Sequence, residues 1–443
     1  MRAVAPDHDP RLAQAARLRG GGLSAAELTV VICLDHASIT GGQAKVAIDS
    51  AIGLKRAGAR PIVFAAAGPV DPRLEAAGVE VVCLDQQDLL GHSSRAAAAW
   101  QGIWNARAAA ALGKLLAEAP HDRIVVHVHG WAKALSPSIV APLRAAGAPT
   151  LYTLHEYFLF CPNGGFYNYQ KNAVCKLSPR SLRCLATHCD SRNYGHKLWR
   201  YGRLQAGRMW LRMQEAFSDY VCISDHQAQI VQSQLPPGAR LHRLSNPVDA
   251  ERLGPKAQPA SGDVIFVGRL SPEKGPALFA EAAMRAGVIP TLIGDGPQAD
   301  ELKRRFPQAR FLGWLPSHET RMQMRAARAL VFPSLWYETN GLVAFEAKAV
   351  GTPVIVSDVC AGREAVEDGV TGLWFKSGDV EALAEALAKI RDDALVARMS
   401  RAAYDDYWRA PLTLESHVER LLTIYAELAS PRRPAEVGAS PAA

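Results

Sequence analysis

Glu338 and Glu346 stand eight residues apart in a stretch that runs from Phe332 to Asp358. The first falls in a polar loop, the second inside the helix that the loop opens. A helix N-terminus carries free backbone N–H groups and the positive end of the helix dipole, which together suit a phosphate. Asn340 is expected to cap this helix, so the amides from Asn340 through Gly341 to Leu342 face the anion site. Glu338 stands beside that site. Glu346, two turns on, reaches hydroxyls such as those of a ribose. An anionic centre flanked by carboxylates that bind hydroxyls suits a sugar nucleotide. The plainer reading is of two solvated acids, where glutamates usually sit.

A second constellation lies upstream. Arg269 and Lys274 occupy the loop that follows the apolar run Asp263-Val-Ile-Phe-Val-Gly268, and Pro276 opens the next helix. Two cations and a helix start at one strand end can offset the charge of a diphosphate leaving group. Gly294-Asp295-Gly296 follows another apolar run. In the first half of the chain, Leu28 to Leu34 reads as a buried strand, and Gly41-Gly42 opens the following helix, where glycine lets a ligand approach the backbone. This is not the G-x-G-x-x-G dinucleotide pattern. His129 and His155 close the strands Ile124–Val128 and Thr150–Leu154. An imidazole at the latter place donates to a sugar hydroxyl or a phosphate oxygen; a histidine satisfying buried backbone is the alternative. His127 reads as a strand residue.

The elements that position these residues alternate strand and helix. That predicts α/β architecture with doubly wound parallel sheets, whose ligands bind at the C-terminal strand ends. The length of 443 residues suits two domains. The expected division is a flexible tail over 1–24, a first domain over 25–245 with an insertion at 160–194, and a linker over 246–262. A second domain over 263–411, a helix over 412–428 and a disordered tail over 429–443 complete it.

Three segments carry a family resemblance. Glu338-Thr-Asn-Gly-Leu-Val-Ala-Phe-Glu346, with the run to Pro353 after it, resembles the E-x7-E signature of retaining glycosyltransferases of family 4. Gly268-Arg-Leu-Ser-Pro-Glu-Lys-Gly275 is similar to their G-R-L-x-x-E-K-G loop, and Leu244-Ser-Asn-Pro-Val-Asp249 to their I-P-N-G-V-D, with Pro247 in place of glycine. The resemblance implies the GT-B fold, two Rossmann-like domains facing across a cleft, with the helix at Leu412 to Leu428 packing back across it. It implies transfer of a sugar from a nucleotide-sugar donor to a glycan or lipid-linked acceptor, without a catalytic metal. Arg269 and Lys274 would take the diphosphate, Glu346 the ribose, Glu338 and His155 the sugar. The Gly294–Gly296 loop would approach the base, and Gly41 and Gly42 would line the cleft. Other classes remain open: an epimerase or hydrolase on the same fold, or a non-catalytic sugar-nucleotide-binding assembly protein.

Composition bounds the rest. Hydrophobic content of 49% and charged content of 21% are those of a soluble globular chain, and no apolar run approaches the ~20 residues of a membrane span. Met1 to Ser24 lacks the apolar centre of a secretory signal, so a cytoplasmic location is expected, with reduced thiols among the eight cysteines. No nucleic-acid motif is present. Cys161, Cys175, Cys184 and Cys189 have the ligand type and number for a structural zinc but not paired C-x2-C spacing; an acceptor-side loop with free thiols is the other reading. The basic and aromatic stretch 192–217 reads either as an ordinary amphipathic helix or as a peripheral contact with the inner membrane face.

Overall fold

The computed structural model describes residues 25–119 and 123–429, so the tails expected at 1–24 and beyond residue 429 lie outside the described residues. In the first domain the strands are β1 (Thr29–His36), β2 (Arg60–Ala67), β3 (Glu80–Cys83), β4 (Ile124–Val128) and β5 (Thr150–Thr153). A short antiparallel hairpin, β6 (Tyr167–Asn168) and β7 (Ala173–Val174), lies in the insertion, and β8 (Asp219–Cys222) and β9 (Arg240–Arg243) follow. The seven long strands form one parallel sheet in the order β3-β2-β1-β4-β5-β8-β9. The second domain has a six-stranded parallel sheet built from β10 (Val264–Val267), β11 (Pro290–Ile293), β12 (Arg310–Gly313), β13 (Ala329–Phe332), β14 (Val354–Ser357) and β15 (Gly372–Phe375). Its order is β12-β11-β10-β13-β14-β15.

Both sheets are covered on both faces, which is why their strands are continuous apolar runs. Along β1, Val31 and Cys33 enter one core layer while Val30, Ile32 and Leu34 enter the other, the two-residue alternation of a strand. Five helices matter for the site. They are α1 (Gly42–Arg56), α2 (Tyr194–Met209), α3 (Leu342–Ala349), α4 (Asp393–Arg409) and α5 (Leu414–Ala429).

The last of these returns to the first domain. Val418, Leu421, Leu422, Tyr425 and Leu428 recur at helical spacing and join the core layer that contains α1 and β1. Polar contacts fix its register: Tyr425 Oη lies 2.6 Å from His127 Nδ1, and His417 Nε2 lies 3.1 Å from Ser50 Oγ. The two chain crossings between domains are themselves tied, Val248 N–H donating to the Leu412 carbonyl at 2.8 Å.

Several local expectations change. The alanine-rich stretch 95–118 folds as two helices, Arg95–Ile103 and Ala106–Glu118, because Asn105 caps the second by accepting from Ala108 N–H. Helix α4 and strand β9 are missing from the sequence reading. Short and polar, β9 carries little periodic signal; α4 is masked by its charged face, although Tyr404, Tyr407 and Met399 are buried. The segment 192–217 is helical only over α2 and a 3-10 turn at Met213–Ala216. Its Lys197 and Arg203 are buried, and Trp199 donates to the Ala99 carbonyl at 3.3 Å, so most of the helix packs inward. Its end, with Met209 72% and Trp210 80% exposed, offers most of the apolar surface, and Leu198 adds a smaller share at 40%.

Candidate functional site

The segment from β13 to β14 folds as strand, loop, helix and strand. Gly341 precedes α3 at φ +84° with no side-chain cap, so Asn340 does not cap the helix as the sequence suggests. A Cβ on Gly341 would meet Gly362 Cα at 2.7 Å, so the chain passes too tightly here for any other residue. Asn340 is instead buried, its Nδ2 without a partner among the described residues, beside the free N-terminus of α3.

The loop after β10 closes in a 3-10 turn, Pro272–Lys274, and Gly275 at φ +70° turns the chain into the next helix. Leu335 N–H donates to the Glu273 carbonyl at 2.8 Å, joining this loop to the one after β13. The junction brings Lys274 Nζ into an ion pair with Glu338 Oε1, while Ser334 Oγ donates to Glu338 Oε2 at 2.8 Å. Lys274 also lies 5.6 Å from the centre of the Trp336 ring, whose Nε1 is buried and unpartnered. A fixed cation, a fixed carboxylate and two unused N–H donors therefore face the same space.

The first domain supplies the opposite wall. His155 follows β5, and its carbonyl accepts from Thr339 Oγ1 at 3.0 Å across the cleft. Its ring Nε2 lies 2.9 Å from His129 Nδ1. Burial holds the His155 imidazole down to about 3 and His129 well below the ordinary histidine range, so both are neutral near pH 7. A cavity of about 280 Å3 lies between these walls, lined among others by Gly42, Gln43, His155, Lys274, Trp336, Glu338, Asn340 and Leu342. The space where a Cβ of Gly41 or Gly42 would stand is open. A larger cavity of about 980 Å3, lined by residues such as Leu143, Pro149 and Phe217, contains none of the sequence-predicted site residues.

The remaining predicted residues sit around this centre. Glu346 projects from α3, half-buried; burial pushes its carboxyl up against the opposing pull of Arg321 and of Lys45 on α1. Arg269 is exposed on the rim, near enough to Tyr169 of the insertion to act on its hydroxyl. Gly294 and Gly296 stack backbone to backbone on Gly268 and Leu270, behind the loop rather than in the cavity lining. So Lys274, Glu338, Asn340, Gly341, Leu342, Gly42 and His155 are brought together, while Arg269 and Glu346 flank them.

Two family models tile the chain. The one described as Glycosyltransferase Family 4 matches residues 40–252, and the one described as Glycosyl transferases group 1 matches residues 253–406. The chain belongs to glycosyltransferase family 4. Among relatives of this family 4 chain, the glycogen synthase of Mycobacterium tuberculosis is 35% identical over 229 residues, 47% of this chain and 54% of that one. The chain thus spans about half the length of that relative. The UDP-Gal:alpha-D-GlcNAc-diphosphoundecaprenol alpha-1,3-galactosyltransferase of Escherichia coli is 25% identical over 320 residues, 66% of this chain and 71% of that one. The solved structure of Anabaena Alr3699/HepE in complex with UDP-glucose matches with a TM-score of 0.62 at 17% identity, covering 90% of this chain and 100% of that chain. The fold is GT-B.

Sequence reasoning missed several residues of this family 4 cleft. Asp35 ends β1 and accepts from the N–H groups of Lys133, Ala134 and Leu135 at 3.0, 2.7 and 2.9 Å, shaping the turn after His129. Gln43 donates to the His129 carbonyl. Trp336 rests on Gly165, so the insertion reaches the donor-side loops. Burial, helped by Asp35, pushes the Glu156 carboxyl up to about 7. An acid directly after His155 was visible in the sequence; its partners were not.

Cys161, Cys184 and Cys189 are buried and Cys175 half-buried, yet among the described residues no group of three or more His, Cys, Asp or Glu side chains is placed to hold a metal ion. The buried ammonium of Lys197 instead donates to the Cys184 carbonyl at 2.8 Å and lies 3.4 Å from its Sγ. This contact places a fixed positive charge beside the Cys184 thiol. Among the described residues no helix is long and apolar enough to cross a membrane.

Proposed function

We propose that the protein transfers a sugar, with retention of anomeric configuration, from a nucleotide-sugar donor to a glycan or lipid-linked acceptor. The observation that carries this reading is the Lys274–Glu338 pair, buttressed by Ser334 and facing His155 across one cavity. Two similar proteins support the substrate class: one solved structure holds UDP-glucose, and one relative uses UDP-Gal and a diphosphoundecaprenol-linked acceptor.

The diphosphate lies against Lys274, the Trp336 and Asn340 N–H donors and the free amides that open α3. These groups stabilise negative charge as it builds on the leaving group. Arg269 reaches the same phosphates from the rim. Glu346 takes the ribose hydroxyls, and Glu338 and His155 hold the sugar. The bond from the anomeric carbon to the phosphate oxygen breaks as the acceptor oxygen bonds to that carbon on the same face. The acceptor's proton passes to the departing phosphate oxygen. The acceptor enters beside the insertion, whose Tyr167 and Tyr169 stand close to Glu273. Met209 and Trp210 supply a peripheral contact with an anionic membrane surface at the inner face.

Thermal-shift titration with UDP-, GDP-, ADP- and dTDP-sugars, followed by NMR of the product anomer, tests the reading. Stabilisation by one nucleotide class and a product with the donor's anomeric configuration are expected. Hydrolysis without transfer to any glycan or lipid acceptor, or an inverted product, would refute it.

A further inference from the structure

His155 offers one ring nitrogen to the cleft, and its neighbours decide whether that nitrogen carries a proton. Its Nε2 is engaged with His129 Nδ1 at 2.9 Å, and the two rings stack with centroids 5.1 Å apart. His129 is 1% exposed. Its other nitrogen, Nε2, is buried and has no partner among the described residues. The adjacent His127 cannot serve, because it is satisfied elsewhere: Nδ1 meets Tyr425 Oη at 2.6 Å and Nε2 meets Thr153 Oγ1 at 2.7 Å. His155 lines the cleft cavity, and its Nδ1 has no hydrogen-bond partner among the described residues.

A neutral imidazole has one N–H and one lone pair. Two proton placements fit the contact between His129 and His155. In the first, His129 is protonated on Nε2 and accepts at Nδ1, which strands a buried N–H. In the second, His129 is protonated on Nδ1 and donates to His155 Nε2, which strands only a lone pair. Orphaned buried N–H groups are rarer than under-used acceptors, so the second placement wins. His155 then has its lone pair committed to His129 and its proton on Nδ1.

We infer that His129 is a positioning residue that fixes His155 in the Nδ1–H tautomer, so that His155 meets the substrate as a hydrogen-bond donor to a sugar hydroxyl or phosphate oxygen. This rests on the reading of the cleft as a nucleotide-sugar site. It also limits the chemistry: an imidazole in that state has no lone pair facing the cleft and does not take the acceptor's proton. That proton goes to another group, as it does when the departing phosphate receives it.

The test is long-range 1H–15N correlation on the full-length protein labelled with 15N-histidine, with His155 assigned by the signals lost in His155→Gln. The expected pattern for His155 is a protonated Nδ1 and a bare Nε2. His129→Asn, whose amide nitrogen falls near the place of Nδ1, should keep that pattern and kcat within about twofold. His129→Phe should release His155 Nε2, alter the pattern and lower kcat about tenfold, the effect of one lost hydrogen bond. A wild-type His155 protonated on Nε2 overturns the inference by itself, even if His129→Phe fails to fold. An unchanged Nδ1–H pattern in a folded His129→Phe overturns it too, since His129 would not be the cause. The expected spectra in a protein that transfers no sugar would support the tautomer while sinking the transferase reading.

Discussion

Gly275→Ala tests the junction on which the site depends. Gly275 ends the Pro272–Lys274 turn with φ at +70°, and an added Cβ would lie 2.2 Å from the Pro333 carbonyl oxygen. That is about 1 Å inside van der Waals contact, and the obstacle is backbone, so the two loops must part by about 1 Å. Left-handed backbone costs an L-residue a further ~1 kcal/mol. Lys274 precedes Gly275, and Ser334 follows Pro333 and holds the Glu338 carboxylate. The separation therefore opens between ammonium and carboxylate, where the diphosphate and sugar would sit. A misplacement of about 1 Å in such a site costs about 100-fold in rate. Steady-state transfer with a matched donor should show kcat/KM lowered about 100-fold. Melting followed in parallel should fall by only a few degrees, about 2–4 °C per kcal/mol for a domain of this size. Undiminished kcat/KM at a normal melting temperature would refute the reasoning. So would a loss of activity that only tracks the unfolded fraction.

Other outcomes follow from the same geometry. Lys274→Met should lower kcat/KM about 100-fold, whereas Arg269→Ala, exposed and on the rim, should cost less than about tenfold; equal losses in the two variants would contradict the placement. Tyr425→Phe leaves His127 Nδ1 buried without its partner and should destabilise the first domain by about 1–3 kcal/mol in urea unfolding, with donor affinity unchanged; an unshifted midpoint would show that α5 docks without that bond. Burial lets Glu156 hold its proton up to about pH 7 in the folded protein against about 4.5 for an ordinary glutamate, so the folded state binds more protons between those limits. Its contribution to stability is complete below about pH 4.5 and is lost as pH rises to 7. Glu156→Gln should flatten that slope in pH-dependent melting, and an identical slope would remove Glu156 as its source.

Much of the fold was legible from local signals. Runs such as Val264–Val267 and Val354–Ser357 are apolar because both faces of their sheets are covered, and Gly351 and Pro353 mark where α3 must stop. That Lys274, Glu338 and His155 stand in loops at strand ends, where ligands of such sheets bind, could be read from their positions. The cap at Asn340 could not be judged. Asparagine suits both a helix cap and a buried donor, and the close approach of Gly362 to Gly341 is a tertiary fact. The two readings of the basic stretch around α2 could not be separated from sequence for a related reason: Arg203 is basic, yet its guanidinium stacks 4.9 Å from the Trp199 ring and donates to the Ala132 carbonyl at 2.8 Å inside the domain, as an amphipathic helix packed on the core would have it.

By itself, the sequence determined most of the order of strands and helices, the two-domain plan and the kind of groups at each strand end, because periodicity, glycine and proline act within a few residues. Tertiary structure alone decided who meets whom. The Lys274–Glu338 pair spans 64 positions and the His127–Tyr425 bond 298. His129 acquires its role only because burial strips one of its nitrogens of every partner and leaves the other to His155. Such pairings depend on how whole layers pack, and packing is a property of the closed three-dimensional arrangement, where a short window of residues carries no record of it.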